Sequence, residues 1–419
     1  MKFDTETLQT LLGLPDIAVA RAVLEGKTLK IYLHSTLEGT HCHRCGKLID
    51  HAYGVGQEIA LRHLPILAYQ TLLILRPKRY QCHFCPERPT TSQTLSWYTP
   101  RATVTKAFEE QMLREIINST LEDVSAKQAI VVDALQGILD RRIADKVDWT
   151  AFEALPIIGI DEIALKKGHR DYGVVISAYV GDTLQVIGLL AARPKAAVER
   201  FFRSIPKRLQ RTVAVVCSDL YQGFMSAAKA VFGRRVRLCA DRLHVARLDR
   251  DALETLRKRE FKRLRRTLSK AARAELKHVH WLLRRRRADL SPDERRTLNQ
   301  LCAYSPKLKD AYAACEALTA IFDRPLSKGQ GKRQLRGWMA RVSHRKLGCF
   351  NRFLGTLNTY FEQITNYFTG RQTSGFVEGL NNKLKVLKRR CYGITNLKHL
   401  YQRVFLDLNG YAQFGLASC

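Results

Sequence analysis

Two apolar runs, each closed by an aspartate, constrain this chain more than any other feature. Leu155-Pro156-Ile157-Ile158-Gly159-Ile160 leads into Asp161, and Val213-Ala214-Val215-Val216-Cys217-Ser218 leads into Asp219. Apolar residues without alternation read as a strand buried on both faces, which requires a sheet covered on each side. Each such strand then delivers a carboxylate at its end. A third acid, Glu378, falls in the first turns of a helix-like segment within one of the most basic stretches of the chain. Two strand-end aspartates and a distant helical glutamate can hold two divalent metals, which clamp the attacking and leaving oxygens of a phosphoryl transfer.

The charge balance points the same way. Lys and Arg number 70 against 39 Asp and Glu, a formal charge of +31 spread along 419 residues. A polyphosphate partner is the simplest explanation. With 46% hydrophobic residues the chain has enough apolar material for roughly three domains with their own cores. No apolar run approaches the ~18 residues that span a bilayer. The acidic start, Met1-Lys2-Phe3-Asp4-Thr5-Glu6, does not read as a signal peptide. The expectation is a cytoplasmic protein without a membrane partner.

Four of the eleven cysteines are paired at metal-ligand spacing, Cys42-His43-Arg44-Cys45 and Cys82-His83-Phe84-Cys85. Between them, His63–Ile66 and Tyr69–Arg76 read as a hairpin. Two knuckles on a hairpin predict a zinc ribbon over residues 1–99, with one structural Zn²⁺ on Cys42, Cys45, Cys82 and Cys85. His41, His43 and His83 are expected at the surface beside the knuckles.

Residues 100–148 change to helical periodicity. Phe108, Met112, Leu113, Ile116 and Ile117 mark one buried face, and Leu121–Lys127 reads as a second helix. Asp133 is the expected N-cap of a third, Ala134–Ala144, ending in Arg141-Arg142. The short turn between the last two suggests a helix-turn-helix, with Arg141 and Arg142 as DNA contacts.

From residue 155 the order is three strands, a helix, a strand, a helix and a strand: Leu155–Ile160, Tyr172–Tyr179, Thr183–Leu190, Ala196–Ser204, Val213–Cys217, Tyr221–Val231 and Arg235–Ala240. That is the order of an RNase H-like mixed sheet over residues 155–244. Residues 245–370 read as an all-helical insertion, with Ser327-Lys328-Gly329-Gln330-Gly331-Lys332 as a loop. Within 241–300, nineteen Lys or Arg face nine Asp or Glu. Residues 371–419 return to the catalytic core as helix. The fold class is therefore multidomain α+β: zinc ribbon, helix-turn-helix, and an RNase H-like α/β core interrupted by helices.

Each acid also has a structural reading. Asp219 suits an N-cap completed by Gln222 as a capping box, Asp161 could close its strand, and Glu378 complements a helix dipole. Their combination favours chemistry. Between residues 371 and 403, Glu378 is the one acid among eight Lys or Arg. Val377, Leu380, Leu384 and Leu387 form an apolar stripe, which leaves Glu378, Asn382, Lys385 and Arg389 on the adjacent face. Asn382, Lys385, Arg389 and Arg390 are the candidate DNA contacts there. Glu162 sits beside Asp161, and Asp241 follows the fifth strand in Ala240-Asp241-Arg242-Leu243-His244; Glu162 and Asp241 are assigned supporting roles. No Walker A loop, dinucleotide fingerprint or nucleophile elbow is present.

These motifs resemble the bacterial insertion-sequence transposases of the ISL-three family. The resemblance covers nearly the whole chain. It rests on the double Cys-x-x-Cys, the helix-turn-helix, Gly159-Ile160-Asp161-Glu162, Ser218-Asp219-Leu220-Tyr221 and Asp241-Arg242-Leu243-His244. Its most specific part is Thr373-Ser374-Gly375-Phe376-Val377-Glu378-Gly379-Leu380-Asn381-Asn382-Lys383, followed by Arg389-Arg390-Cys391-Tyr392-Gly393. Leu243 departs from the aromatic expected before the histidine. The resemblance implies that Asp161, Asp219 and Glu378 are a DDE triad holding two Mg²⁺ (or Mn²⁺) ions, with Asp161 bridging both. It implies strand cleavage at terminal inverted repeats, then strand transfer into a target duplex by a DNA-bound dimer. Two other readings fit parts of the sequence: an inert DNA-binding regulator, and a nuclease on the same fold that cuts without joining.

Overall fold

The computed structural model describes residues 4–164, 172–181, 183–191, 194–276, 279–371 and 375–415; for residues 375–378 it describes the backbone alone. The chain is a mixed α/β protein that divides into two units, Met1–Ala144 with Phe405–Cys419, and Asp145–Val404.

The first unit begins with the helix Thr5–Leu12, whose N-terminus is capped by Asp4 accepting from the Thr7 N–H at 2.9 Å. Nine strands follow: β1 Ile17–Glu25, β2 Thr28–Ser35, β3 Thr40–His41, β4 Leu48–Ile49, β5 Ala52–Val55, β6 Ile59–Ile66, β7 Tyr69–Leu75, β8 Lys78–Gln81 and β9 Thr90–Ser92. They form a four-stranded sheet ordered β1-β2-β7-β6, the pair β3-β4, and a three-stranded sheet β5-β8-β9. The hairpin between the cysteine pairs, β6–β7, is therefore not part of a ribbon. Its inner residues Leu61, Leu73 and Leu75 pack with Leu29, Ile31 and Leu33 of β2 into a separate core. The strands beside the cysteines are the short β3, β4, β5, β8 and β9. β1 escaped the sequence pattern because its alternation breaks at a bulge between Val19 and Arg21.

Three helices follow, Lys106–Ile116, Leu121–Gln128 and Val132–Arg142. Phe108, Met112, Leu113, Ile116, Val124, Leu135, Ile138 and Leu139 form their common core, completed by Leu406 and Phe414 from the end of the last helix. The turn between the second and third helices passes through Ala129 at φ 47°. Arg62 donates to the Gln128 and Ala129 carbonyls at 2.6 and 3.0 Å, satisfying groups that the helix end leaves free. The expected N-cap at Asp133 is not formed. The third helix starts one residue earlier, with Val131 as a cap that makes no side-chain bond, so Asp133 lies within the first turn.

The second unit is built on a five-stranded sheet: β10 Ile157–Ala164, β11 Tyr172–Val180, β12 Thr183–Leu190, β13 Val215–Ser218 and β14 Arg237–Ala240. The order is β12-β11-β10-β13-β14, with β10 to β12 antiparallel and β13 and β14 parallel to β10. Ile158, Ile160, Val174, Ile176 and Val216 point to one face and pack under Val198, Phe202, Phe224 and Phe232, from the helices Lys195–Ser204 and Gln222–Phe232. On the opposite face, Val215, Cys217 and Cys239 cluster with Ile157. The helix Gly375–Arg390 packs on β10, and short helices over Phe361–Phe368 pack on β14.

After β14 the described chain is helical to Phe368, opening with the 26-residue helix Arg242–Thr267. Leu298, Leu308, Leu335, Trp338, Phe350 and Leu357 anchor one large core. The expected loop at Ser327–Lys332 is instead the start of the helix Lys328–His344. Ser327 and Gln330 form a reciprocal capping box. Gly331 is needed there for close packing, since a Cβ would lie 2.3 Å from the Phe368 ring. No helix among the described residues is long and apolar enough to cross a membrane.

Candidate active site

Strand register builds the site. Ile157, Ile158, Gly159 and Ile160 of β10 pair with Val215, Val216, Cys217 and Ser218 of β13, which in turn pair with Arg237, Leu238, Cys239 and Ala240 of β14. One residue further along each strand stands an aspartate: Asp161, Asp219 and Asp241. The Asp241 N–H donates to the Ser218 carbonyl at 2.9 Å, so the alignment persists past the last β-pair. Side chains alternate along a strand, so Asp161 shares the face of Ile157 and Asp219 the face of Cys217. Both stand on the side of the sheet facing the helix Gly375–Arg390. Glu162 points to the other face.

Asp161 does not end its strand. β10 continues to Ala164 because its antiparallel partner β11 extends alongside, with Asp161 opposite Val175, while its parallel partner β13 stops at Ser218. The carboxylate thus emerges where one neighbour has ended and the other has not. Nor does Asp219 cap the helix after it. Its Oδ1 accepts from the Tyr221 N–H at 3.1 Å, the helix begins at Gln222, and Gln222 reaches Ser226 rather than closing a capping box.

Asp161 is half-buried. Its Oδ1 accepts from the Glu162 N–H at 2.7 Å, and its Oδ2 accepts from the side-chain amide of Asn381. Burial is the largest influence on its carboxyl and raises it above the ordinary range. The Glu162 N–H and His244 oppose that shift, while Asp219 and Asp241 add to it. Repulsion among converging acids is what a bound divalent cation would relieve. Asp241 is 3% exposed and caps the long helix by accepting from the Leu243 N–H at 3.1 Å. Its other oxygen bonds His244 Nδ1 at 2.8 Å. That bond is the main cause raising His244 above its ordinary range; burial opposes it, and Asp161 and Asp219 reinforce it. Asp241 belongs to the row geometrically, but its oxygens are committed to the helix cap and the imidazole.

Asn381, 3% exposed, is the residue that sequence reasoning missed. It lies three residues after Glu378, close to one helical turn, on the helix carrying buried Leu380, Leu384 and Leu387. A signal was present: Asn381 falls within the apolar stripe, four residues from Val377 and three from Leu384, where a polar side chain needs a reason. Lys388 donates to the Ala164 carbonyl, a second tie between this helix and β10. The Glu378 side chain lies outside the described residues, as do Thr373 and Ser374 of the motif. Asn382, Lys385 and Arg389 are exposed, and Arg390 is half-buried.

In the first unit, the Sγ atoms of Cys42, Cys45, Cys82 and Cys85 all lie within 4.8 Å of one another, with Cys45 and Cys82 at 3.7 Å. A tetrahedral Zn²⁺ with arms of about 2.3 Å places sulfurs about 3.8 Å apart, so the four thiols fit that ion. Each pair is presented by a tight turn: Gly46 donates to the Cys42 carbonyl, and Arg88 to the Cys85 carbonyl. N–H groups of Cys45 and Arg44 lower the Cys42 thiol to about 6, toward the thiolate that binds metal. His41, His43 and His83 are exposed.

Arg141 and Arg142 are already engaged. Arg141 donates to the buried Glu109 at 2.9 and 2.7 Å, and Arg142 to Glu110 at 2.7 Å, so both tie the third helix to the first.

Residues 158–404 match the sequence model of the ISL3 family of DDE transposases. The chain is 24% identical over 394 residues to the transposase for insertion sequence element IS1001 of Bordetella parapertussis, covering 93% of each protein. It is 22% identical over 390 residues to the transposase for IS1557 of Mycobacterium tuberculosis, covering 88% of this chain and 86% of that one. The chain belongs to the ISL3 family of insertion-sequence transposases. It is a DDE transposase, an enzyme of DNA transposition.

Proposed function

We propose that Asp161, Asp219 and Glu378 are the catalytic triad and bind two Mg²⁺ (or Mn²⁺) ions on an RNase H-like core. The observation that carries this reading is the register that sets Asp161 beside Asp219, with Asn381 tying the helix of Glu378 to Asp161. An all-oxygen donor set suits hard divalent cations, which when bound would supply positive charge to the attacking and leaving oxygens. Asp161 would be a ligand shared by both ions, and Asp219 and Glu378 would each hold one. Asn381 fixes the Asp161 carboxylate, while Asp241 orients His244 at the edge of the row. Cleavage at the terminal inverted repeats exposes a 3′-hydroxyl, which then attacks the target duplex in the same site.

In this reading residues 1–99 form a zinc-ribbon domain and 100–148 a helix-turn-helix, which together select the inverted repeats. Residues 155–244 and 371–404 form the catalytic core around the helical insertion 245–370, while Phe405–Cys419, expected within that core, group with the first unit. Asn382, Lys385, Arg389 and Arg390 contact DNA near the cut. Arg141 and Arg142, held by Glu109 and Glu110, are the weaker candidates for that role. The enzyme acts on nucleoid DNA in the cytoplasm, as a dimer when bound to element ends.

The test is cleavage of a labelled element end in Mg²⁺ by Asp161→Asn and Asp219→Asn. Both should bind the end normally and cut at least ~1000-fold more slowly. Near-normal cutting by either would remove the triad.

A further inference from the structure

From the row of acids, Asp219 opens onto a cleft of about 460 Å³ that it lines with His244, Arg247, Asp251, Arg352 and Tyr360. Two separate parts of the helical segment supply these side chains. His244, Arg247 and Asp251 recur at three- and four-residue spacing on the helix Arg242–Thr267, so they share one face. Arg352 and Tyr360 come from the helix Asn351–Thr359 and the residue after it.

The arginines of this cleft differ from several others of the helical segment. On the same long helix, Arg242 is bound by Asp323, Arg257 by Glu254 and Arg263 by Glu260. Arg285 and Arg286 are likewise paired, with Glu294 and Asp323. Arg247 and Arg352 are exposed, and among the described residues neither lies within ion-pair distance of an acid, Asp251 included. Two guanidiniums without an acid partner therefore line one cleft with the Asp219 carboxylate. An arginine fork fits a phosphodiester, and an aromatic wall beside it suits an unpaired base.

Resting on the triad reading above, we infer that Arg247 and Arg352 bind the phosphodiester backbone of the DNA strand that enters the carboxylate row. Tyr360 supplies a stacking surface for a base of that strand. The helical insertion is thus a working wall of the active site: it positions the strand, while the acids act on the scissile phosphate. Arg247 and Arg352 are positioning residues, because they hold phosphates next to the reacting one.

The experiment uses the full, zinc-loaded chain and a labelled duplex taken from the DNA that flanks the gene. Phosphates around the cut are replaced singly by neutral methylphosphonates. Arg247→Ala and Arg352→Ala should bind the duplex within a few-fold of the unmodified protein yet cut it roughly 10- to 100-fold more slowly. One methylphosphonate should cost the unmodified protein a similar factor and cost Arg352→Ala nothing more, since the contact is already gone. Arg352→Lys should recover part of the rate by restoring the charge. Normal cutting by both alanine variants, or a methylphosphonate penalty undiminished at every position, overturns the inference. Asp161→Asn runs in parallel. If it is inactive while the arginine variants cut normally, this inference alone falls; if it too cuts normally, the triad reading falls first.

Discussion

The cysteine cluster and the proposed acid site are of opposite construction. The four thiols are delivered by two tight turns, each supplying a pair three residues apart, and they already stand at zinc geometry. The acids come from positions 161, 219 and 378, so β10, β13 and the helix Gly375–Arg390 must dock before the site exists. In the first site a metal would substitute for a hydrophobic core: among the described residues, Cys42, Cys82, Ile49 and Tyr80 form only a small cluster. In the second, an independent core holds the acids together against their repulsion. Removing a zinc ligand should therefore unfold its surroundings, whereas removing an acid should leave the fold intact and stop chemistry.

The largest expected effect follows directly. Cys82→Ser should abolish zinc binding, which contributes on the order of 10 kcal/mol in small zinc domains. The β5-β8-β9 sheet should lose its protection from hydrogen exchange, and selective binding of element ends should go with it. Metal analysis and footprinting check this. Full zinc content in folded Cys82→Ser would break the comparison.

Asp249 tests whether the second unit tolerates a buried acid without metal. It is 3% exposed, and burial raises its carboxyl to about 6. A raised acid contributes stability that is complete below its ordinary value of 3.8 and lost as pH rises through about 6. Asp249→Asn does not titrate, so it should be more stable than the parent at about pH 8, by on the order of 2 kcal/mol. That gain should vanish near pH 4. Thermal melts across this range decide it, and a gain independent of pH would contradict the account.

Gly331→Ala should destabilise the second unit by about 1–3 kcal/mol, because the added methyl meets the Phe368 ring. Zinc content should not change. The smallest effect belongs to Asp161→Asn in Mg²⁺-free buffer, where losing a buried, repelled charge should raise Tm slightly. Added Mg²⁺ should raise Tm for the parent and not for the variant.

The sheet of the second unit was legible because its strands are continuous apolar runs, and the cysteine pairs because spacing alone defines them. What failed depended on partners distant in sequence. Asp161 sits inside its strand because β11 outlasts β13, and no local pattern reports that. The glycines at 329 and 331 suggested a loop, yet the Ser327–Gln330 box and the approach of Phe368 make a helix. Asp241 stands in the row beside Asp219, yet its oxygens serve the helix cap and His244, a supporting role. Asn381 bears no charge, so its place in an apolar stripe was its one mark in the sequence.

The most direct test concerns the acid farthest from the others in sequence. Glu378→Gln keeps the size of the side chain and most of its hydrogen bonding while removing one charge. Cleavage of a labelled element end in Mg²⁺ should collapse, with end binding and zinc content unchanged. Cutting at a near-normal rate by Glu378→Gln would contradict the proposed site.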